Sequence, residues 1–239
     1  MSARQPLRVS ARTLAEYTYF QPDIAPSSLE LLHLGTKGHL NRQGQGEGRA
    51  EAPLYWQGEA EGLPFRVSGR VDLLHDTLSP PVVEEIKLCL GDAPPAPLPA
   101  HRAQALCYGY MLAEKEGIEA VTILVRYVLP DGSTVCAFEE TLTRIALQEG
   151  FFALLIPYAR HMARLLDLRE KRDASLEALP FPYPAYRKGQ KDMATQAYIA
   201  MARRKRLFAV MPTGTGKSVA VLYPAFKALC KGLTKKIFF

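Results

Sequence analysis

The sequence predicts an α+β domain with a mostly antiparallel or mixed sheet, followed by the opening elements of a parallel α/β unit. Three observations lead to this prediction. Residues 53–90 show the short alternating apolar pattern of paired strands. A stiff proline-rich stretch at 179–186, LPFPYPAY, separates two differently patterned parts of the chain. After it, an apolar segment runs into a glycine-rich loop, as at the start of a parallel α/β sheet.

The composition is that of a globular protein, with 239 residues, 48% hydrophobic and 23% charged. The formal net charge of +6 favours a polyanionic partner, although many basic proteins bind no nucleic acid. The four cysteines are scattered without a CxxC pair, so free thiols of a reducing compartment are expected. No apolar run approaches the roughly 20 residues of a membrane span, and no signal-peptide core is present. We therefore expect a cytoplasmic protein that does not bind membranes.

Helices are expected first along the chain. Ser10 is placed to cap a helix through Tyr19, and Ser27 with Glu30 fits a capping box ahead of a second helix. The polar, glycine-rich residues 41–52 then indicate a loop. After that loop the pattern changes to that of strands.

Strands and two further helices account for the rest of the first domain. The segment 54–76 predicts an antiparallel pair with a turn near Gly62, and VVEEIKLCL predicts another strand. Prolines make 91–100 an exposed loop. The remaining predicted elements are a helix at 101–116, strands Ala120–Leu129 and Ser133–Leu142 joined by the turn Pro130-Asp131-Gly132, and a helical stretch at 147–176 that Pro157 can interrupt.

Residues 211–218, MPTGTGKS, have the composition of a phosphate-binding loop. Glycines allow the backbone to approach a phosphate, and amides at a helix N-terminus attract an anion. Lys217 can reach the β- and γ-phosphates, and the Ser218 hydroxyl can ligate Mg²⁺. We expect a helix at 189–204 and a strand at 206–211 before the loop, then a helix and a strand at 236–239. The predicted ATP-binding residues of the loop are Thr213, Gly214, Thr215, Gly216, Lys217 and Ser218.

The loop resembles the Walker A motif of superfamily 2 helicases, although Met211 stands where the general pattern has its first glycine. YRKGQ at 186–190 is similar to the Q motif of those helicases, and LYPA at 222–225 is similar to the DinG/XPD-like bacterial group. The resemblance covers only the last quarter of the chain. It implies that Gln190 contacts the adenine of ATP.

The remainder of a helicase motor is missing from the sequence. No DEAH-type box follows the loop before Phe239, and hydrolysis needs such an acidic residue for Mg²⁺ and water. We therefore expect neither useful ATP hydrolysis nor unwinding from these residues alone. The iron–sulfur cysteines of this helicase group would lie beyond the end, so no cluster is expected. The apolar end, IFF, suggests a truncated chain.

A second pattern joins two carboxylates and a lysine. Asp72 lies on one predicted strand, and Glu85 and Lys87 lie on a later one. Residues two apart share a strand face, so Glu85 and Lys87 project together while Ile86 points away. If the strands pair as a hairpin, Asp72 approaches Glu85. Two carboxylates with a backbone carbonyl then form an oxygen-rich site suited to Mg²⁺ or Mn²⁺.

These residues resemble the core of PD-(D/E)XK nucleases, with Asp72, Glu85 and Lys87 in the named positions. GTKGH at 35–39 is similar to the GxxxH motif of the RecB-like branch, and QALCY at 104–108 is similar to its QxxxY motif. The resemblance implies a restriction-endonuclease-like α/β/α fold over residues 1–178. It implies a metal held by His39, Asp72, Glu85 and the carbonyl of Ile86, with Gln104 and Tyr108 positioning DNA or Lys87.

Each motif has an ordinary structural explanation when taken alone. The GRVD and EEIK strands can carry solvated charges, His39 can be a surface or capping residue, and Gln104 and Tyr108 can be helix surface and core. The order of the motifs and their β-β-α context favour the nuclease interpretation.

Three hypotheses follow for function. The leading one is a metal-dependent DNA nuclease domain (1–178), a linker (179–186) and the ATP-binding start of a DNA-processing or repair helicase (187–239). Its DNA substrate would be single-stranded or flapped. The alternative is a catalytically inactive DNA-binding module that loads the helicase. A stand-alone P-loop ATPase is disfavoured because too little sheet follows the loop.

Overall fold

The computed structural model describes residues 5–19, 29–45 and 48–239. In this part of the chain, six helices accompany a mixed sheet of six strands, which is compatible with the predicted α+β class. The chain divides into two compact units, residues 1–163 and 164–239. All six strands lie in the first unit. The domain boundary at 179–186 stays a prediction.

The first unit opens with a short strand and a capped helix. Strand β1 (Leu7–Ser10) leads directly into helix α1 (Ala11–Thr18). The Ser10 hydroxyl accepts a hydrogen bond from the Thr13 amide at 3.0 Å, which satisfies one of the unpaired amides of the first turn. The predicted cap is therefore confirmed. The proposed capping box at Ser27 lies outside the described residues.

Helix α2 (Leu29–Gln45) is longer than the sequence predicts. It continues into the segment expected to be a loop, and strand β2 (Arg49–Ala60) begins soon afterwards, so the loop prediction is wrong. Tertiary contacts explain the difference, because α2 side chains bind backbone carbonyls elsewhere in the unit. Asn41 Nδ2 donates to the Pro130 carbonyl at 2.8 Å, and Gln43 Nε2 donates to the Asp72 carbonyl at 3.0 Å.

The predicted hairpins and helices of the central region are confirmed. Strand β3 (Leu63–His75) pairs antiparallel with β2 across a turn at Glu61 and Gly62, whose φ angles are 51° and 70°. The other elements of this region are strand β4 (Val82–Leu88), helix α3 (Pro99–Glu116), strands β5 (Ala120–Val128) and β6 (Thr134–Thr143), and helix α4 (Arg144–Ala178). Helix α4 runs through Pro157 without ending there.

One edge of β3 is shared by two strands. Since β2 occupies the other edge, β1 pairs in parallel with residues 65–68 and β4 pairs antiparallel with residues 73–75. Within the described residues, positions 69–72 of β3 have no strand neighbour on this shared edge. Strand β5 then pairs in parallel with β4, and β6 closes the sheet antiparallel to β5. The sheet is thus split beside Asp72.

Aromatic side chains from β2, β3, α3 and α4 pack together in the core of the first unit. Phe151 is fully buried, with its ring centroid 4.7 Å from Tyr110 of α3 and 5.2 Å from Trp56 of β2. Phe65 of β3 contacts Tyr158 farther along α4. Among the described residues, no helix combines the length and apolar character needed to cross a membrane.

The second unit contains helices α5 (Gln190–Ala202) and α6 (Lys217–Cys230). The strands expected at 206–211 and 236–239 are absent from this described region, so those predictions are wrong. A strand needs a hydrogen-bonded neighbour, and here none is provided. The apolar side chains stay in solvent, with Phe208 91% and Phe238 89% exposed.

The aromatic core gives a test of the first unit's packing. Replacing Phe151 by alanine is expected to lower the free energy of unfolding by about 3–5 kcal/mol, because a buried ring is lost and a cavity remains. Ile145→Ala on the same helix is the control, since Ile145 is 69% exposed. Urea unfolding followed through Trp56, the single tryptophan, measures both. Equal losses in the two variants would contradict this description of the core.

Candidate metal centre and phosphate loop

Asp72 lies where the sheet splits. There, side-chain hydrogen bonds replace the β3–β4 pairing that the backbone of Asp72 and Ile86 lacks. The pairing of β2 with β3 also skips Asp72, opposite Glu51, whose φ is 53°. The Asp72 carbonyl accepts from Gln43 of α2 instead, and its carboxylate Oδ2 accepts from the Ile86 amide of β4 at 2.7 Å. These bonds fix Asp72 at the junction of β3 and β4. The expected approach of Asp72 to the Glu85 strand is therefore observed.

Glu85 is a buried carboxylate with one oxygen paired and one left over. Lys87 Nζ donates to Glu85 Oε1 at 2.5 Å, as expected for residues on one strand face. Glu85 Oε2 is buried and has no hydrogen-bond partner among the described residues. Burial raises the pKa of Glu85 to about 7. The positive charge of Lys87 lowers this pKa, and the negative charge of Asp72 raises it. An unpaired buried carboxylate oxygen is costly, and such groups concentrate at functional sites.

His39 reaches the same carboxylate pair from α2. Its Nδ1 lies 3.6 Å from Asp72 Oδ1. The charge of His39 also contributes to the environment of Glu85, where it opposes the rise in the pKa of that carboxyl. The structure thus brings together His39, Asp72 and Glu85, which are far apart in sequence. Ile86, the fourth predicted ligand, has its side chain buried with Leu73 and Val128, and the role of its carbonyl stays a prediction.

Gln104 and Tyr108 of α3 form a chain of hydrogen bonds that begins at Lys87. The ammonium of Lys87 donates to Gln104 Oε1 at 3.4 Å, and Gln104 Nε2 donates to the Tyr108 hydroxyl at 3.2 Å. Tyr108 packs directly on Gly69 of β3, where a Cβ atom would lie 2.8 Å from the tyrosine hydroxyl oxygen. Burial raises the pKa of Tyr108. The predicted pair is therefore connected to Lys87, and Gly69 makes room for it.

Two basic residues near this site carry no recognisable sequence signal. Arg12, in the first turn of α1, donates to Glu16 at 2.6 Å and has a 70% exposed side chain. Hydrogen bonding to Glu16 raises the pKa of Arg12, and the nearby carboxyl of Glu85 raises it further. Burial lowers the pKa of His101 to about 4, with Lys87 and Arg12 adding to the effect. His101 is therefore neutral at pH 7, and Arg12 is an exposed positive charge that interacts with Glu85.

The site offers two carboxylates to a cation rather than a complete set of protein ligands. Within residues 5–19, 29–45 and 48–239, no three His, Cys, Asp or Glu side chains are grouped closely enough to hold a metal ion by themselves. Mg²⁺ is typically bound by one or two carboxylates together with waters and substrate phosphates. The free Oε2 of Glu85 and the carboxylate of Asp72 are oxygen donors of that kind. A role of His39 as a ligand stays a prediction.

The phosphate loop, residues 211–218, has two left-handed glycines and leads into a helix. Gly214 and Gly216 both have φ of 77°, in the left-handed region that favours glycine. Helix α6 begins at Lys217, so its first amides face the loop. The ammonium of Lys217 donates to the carbonyls of Met211 and Pro212 at 3.3 and 3.1 Å. Thr213 and Ser218 are exposed, whereas Thr215 donates to the Pro212 carbonyl.

Gln190 braces the phosphate loop. Its Nε2 donates to the Gly216 carbonyl at 3.1 Å, and its Oε1 accepts from the Arg187 amide at 3.0 Å. Arg187 in turn donates to the Gly214 carbonyl. The side chain of Gln190 is buried by these contacts. Contact with adenine stays a prediction, but the connection of the YRKGQ segment to the loop is direct.

Comparisons with known proteins add little. No family model matches the chain, and no curated protein matches it. A solved structure described as "Crystal structure of SSO0001" is similar over 64% of this chain and 77% of that chain, with 20% identity and a TM-score of 0.39. A similarity at that level supports no conclusion about the site.

Glu85 makes stability depend on pH in a defined direction. Because its folded pKa is about 7, above the ordinary 4.5, the folded state holds this proton more tightly. The resulting stabilisation is complete below pH 4.5 and is lost as the pH rises through 7. In EDTA, the free energy of unfolding of the parent should therefore fall relative to Glu85→Gln between pH 5 and about 8. Glu59→Gln, at an exposed position, should follow the parent; a pH-independent difference for Glu85→Gln would contradict the assignment.

Gly69 tests the placement of Tyr108. Gly69→Ala is expected to cost about 1–3 kcal/mol of unfolding free energy, since the new Cβ would lie 2.6 Å from Tyr108 Cε1. Adding Tyr108→Ala should relieve most of that cost in a double-mutant cycle. Gly44→Ala is the control, because nothing lies within 4 Å of its added Cβ. Strict additivity of the Gly69 and Tyr108 changes would show that the two residues do not touch.

Proposed function

We propose that the first unit is a metal-dependent DNA nuclease of the PD-(D/E)XK type, fused to the beginning of an ATP-binding helicase domain. The observation that carries the proposal is the buried, half-paired carboxylate of Glu85 beside Lys87 and Asp72 at the split in the sheet. Mixed α/β architecture and the order of the motifs support the same conclusion.

Asp72 and Glu85 are the residues that would hold the cation, with His39 and the Ile86 carbonyl completing the set. A bound Mg²⁺ or Mn²⁺ would activate water and neutralise charge on the scissile phosphate. The amide of Ile86 keeps Asp72 in place by donating to Oδ2. A carboxylate held in this way loses little conformational freedom when it binds a cation.

Lys87 supplies the positive charge at the reacting phosphate. Its ammonium lies between Glu85 and Gln104, which hold it over the carboxylate pair. From this position it can orient the attacking water and stabilise negative charge that develops on the phosphate oxygens. Tyr108 and Gln104 keep the lysine from turning away. Arg12 provides an exposed cation that can bind a neighbouring phosphate of the strand.

The second unit supports binding of a nucleotide phosphate. The loop at residues 211–218 contains two left-handed glycines. It leads into α6, whose first residue is Lys217. The ammonium of Lys217 donates hydrogen bonds to loop carbonyls, and on nucleotide binding it would donate to phosphate oxygens instead. We propose ATP with Mg²⁺ as the ligand, held by Lys217 and Ser218.

The test is cleavage of end-labelled single-stranded, flapped and duplex DNA by the full chain with Mg²⁺, Mn²⁺ or Ca²⁺. Asp72→Ala is expected to abolish cleavage because the cation loses a ligand. Lys87→Ala is expected to lower kcat by about 10²–10⁴-fold because water loses its orienting charge.

Matched controls separate these effects from general damage. Asp76→Ala removes an exposed aspartate just beyond β3, and Lys115→Ala removes an exposed lysine on α3; both should cut like the parent. If the parent cuts no better than Asp72→Ala with any metal, the nuclease proposal is wrong. Tight DNA binding in that case would favour the alternative, a silent loading module.

A further inference from the structure

A buried carboxylate on the back of β4 is paired with two arginines and a histidine. Glu84 precedes Glu85, so the two side chains project to opposite faces of the strand. Its carboxylate accepts from Arg126 Nε of β5 at 2.6 Å, from Arg42 Nε of α2 at 3.1 Å and from His75 Nε2 of β3 at 3.0 Å. Burial raises the pKa of Glu84, but these three hydrogen bonds outweigh it and keep the pKa below its ordinary value.

The Glu84 cluster, comprising Glu84, Arg42, Arg126 and His75, joins the catalytic strand to three neighbouring elements. Only Arg42 comes from a helix. A fully buried charge is tolerated when it is paired, so removing Glu84 would leave the guanidinium groups of Arg42 and Arg126 to repel each other. Helix α2 would then lose its ion pair with β4.

Helix α2 also carries His39, one turn before Arg42. Residues three apart lie on neighbouring positions of the same helix face, so a shift of Arg42 moves His39 with it. Between them, Asn41 binds the Pro130 carbonyl, and just beyond, Gln43 binds the Asp72 carbonyl. The distance of 3.6 Å between His39 Nδ1 and Asp72 Oδ1 thus depends on how α2 is docked.

We propose that Arg42, anchored on Glu84, is a positioning residue that holds His39 at the metal site and so gives this site its affinity for transition-metal ions. The inference rests on the proposed function, since it assumes that Asp72 and Glu85 bind a cation. Imidazole nitrogen favours transition metals, whereas Mg²⁺ takes oxygen ligands. Losing His39 should therefore weaken Co²⁺ binding far more than Mg²⁺ binding.

The experiment measures metal affinity without requiring catalysis. Co²⁺ is titrated into the full chain and followed by its visible absorption bands, and Mg²⁺ affinity is measured by calorimetry. The variants are His39→Ala, Arg42→Met, their double mutant and Arg126→Met. Arg126→Met is the matched control because it removes one arginine from the same carboxylate, but from β5 rather than from α2.

Arg42→Met is expected to weaken Co²⁺ binding by about 10–100-fold, close to His39→Ala, and to change Mg²⁺ binding by less than about threefold. The double mutant should bind Co²⁺ no more weakly than His39→Ala, because both changes remove the same ligand. Arg126→Met should lower the unfolding temperature yet keep the Co²⁺ affinity. If Arg42→Met does not fold, Arg42→Lys takes its place. It should weaken Co²⁺ binding less, and it should have no effect when His39 is already alanine.

Two results would overturn the proposal. In the first, the double mutant binds Co²⁺ more weakly than His39→Ala by the full factor that Arg42→Met causes alone, so Arg42 does not act through His39. In the second, Arg126→Met weakens Co²⁺ binding as much as Arg42→Met, so the effect is general destabilisation. A parent chain that binds Co²⁺ with this pattern but cuts no DNA contradicts the nuclease function and supports the positioning role. A parent chain that binds no Co²⁺ overturns the positioning role.

Discussion

The division of one edge of β3 between β1 and β4 is the constraint on which the candidate metal centre depends. A continuous strand neighbour would pair residues 69–72 along the backbone. In its absence, buried backbone groups must find other partners. Gln43 binds the Asp72 carbonyl, and the Asp72 carboxylate binds the Ile86 amide. The same opening leaves space at Gly69 for Tyr108.

Two consecutive glutamates on β4 show how the environment assigns different roles to one side chain. Glu84 is hydrogen-bonded to two arginines and a histidine, so its charge is satisfied and its role is to hold elements together. Glu85 has one lysine and one unpaired buried oxygen, so part of its bonding capacity remains available. A buried carboxylate that is paired only in part is unstable by itself. A bound cation would remove that cost, which is why the cation is proposed at Glu85 rather than at Glu84.

The elements with strong local signals were predictable. The turn at Gly62, the hairpin at residues 130–132 and the Ser10 cap each depend on the chemistry of a few neighbouring residues. The approach of Asp72 to Glu85 also followed, because alternation along a strand and a single hairpin register determine it. Motif spacing predicted that His39 lies near Asp72 and that Gln104 and Tyr108 lie near Lys87, as the structure places them, and their roles stay predictions.

Features that depend on distant contacts were missed. The end of α2 looks like a loop by composition, and only its bonds to Pro130 and Asp72 make it helical. The Glu84 cluster joins residues from four elements, so no local pattern marks it. Apolar periodicity at 206–211 predicted a strand, but a strand forms only beside another, and that neighbour is not among the described residues.

The most direct test of the metal centre is anomalous diffraction from crystals of the full chain soaked in Mn²⁺. The account predicts a strong peak in contact with Asp72, Glu85 and His39. It also predicts that the ammonium of Lys87 moves away from Glu85 when the cation binds. A map without a peak at these residues, while Mn²⁺ occupies other sites in the same crystal, would contradict it.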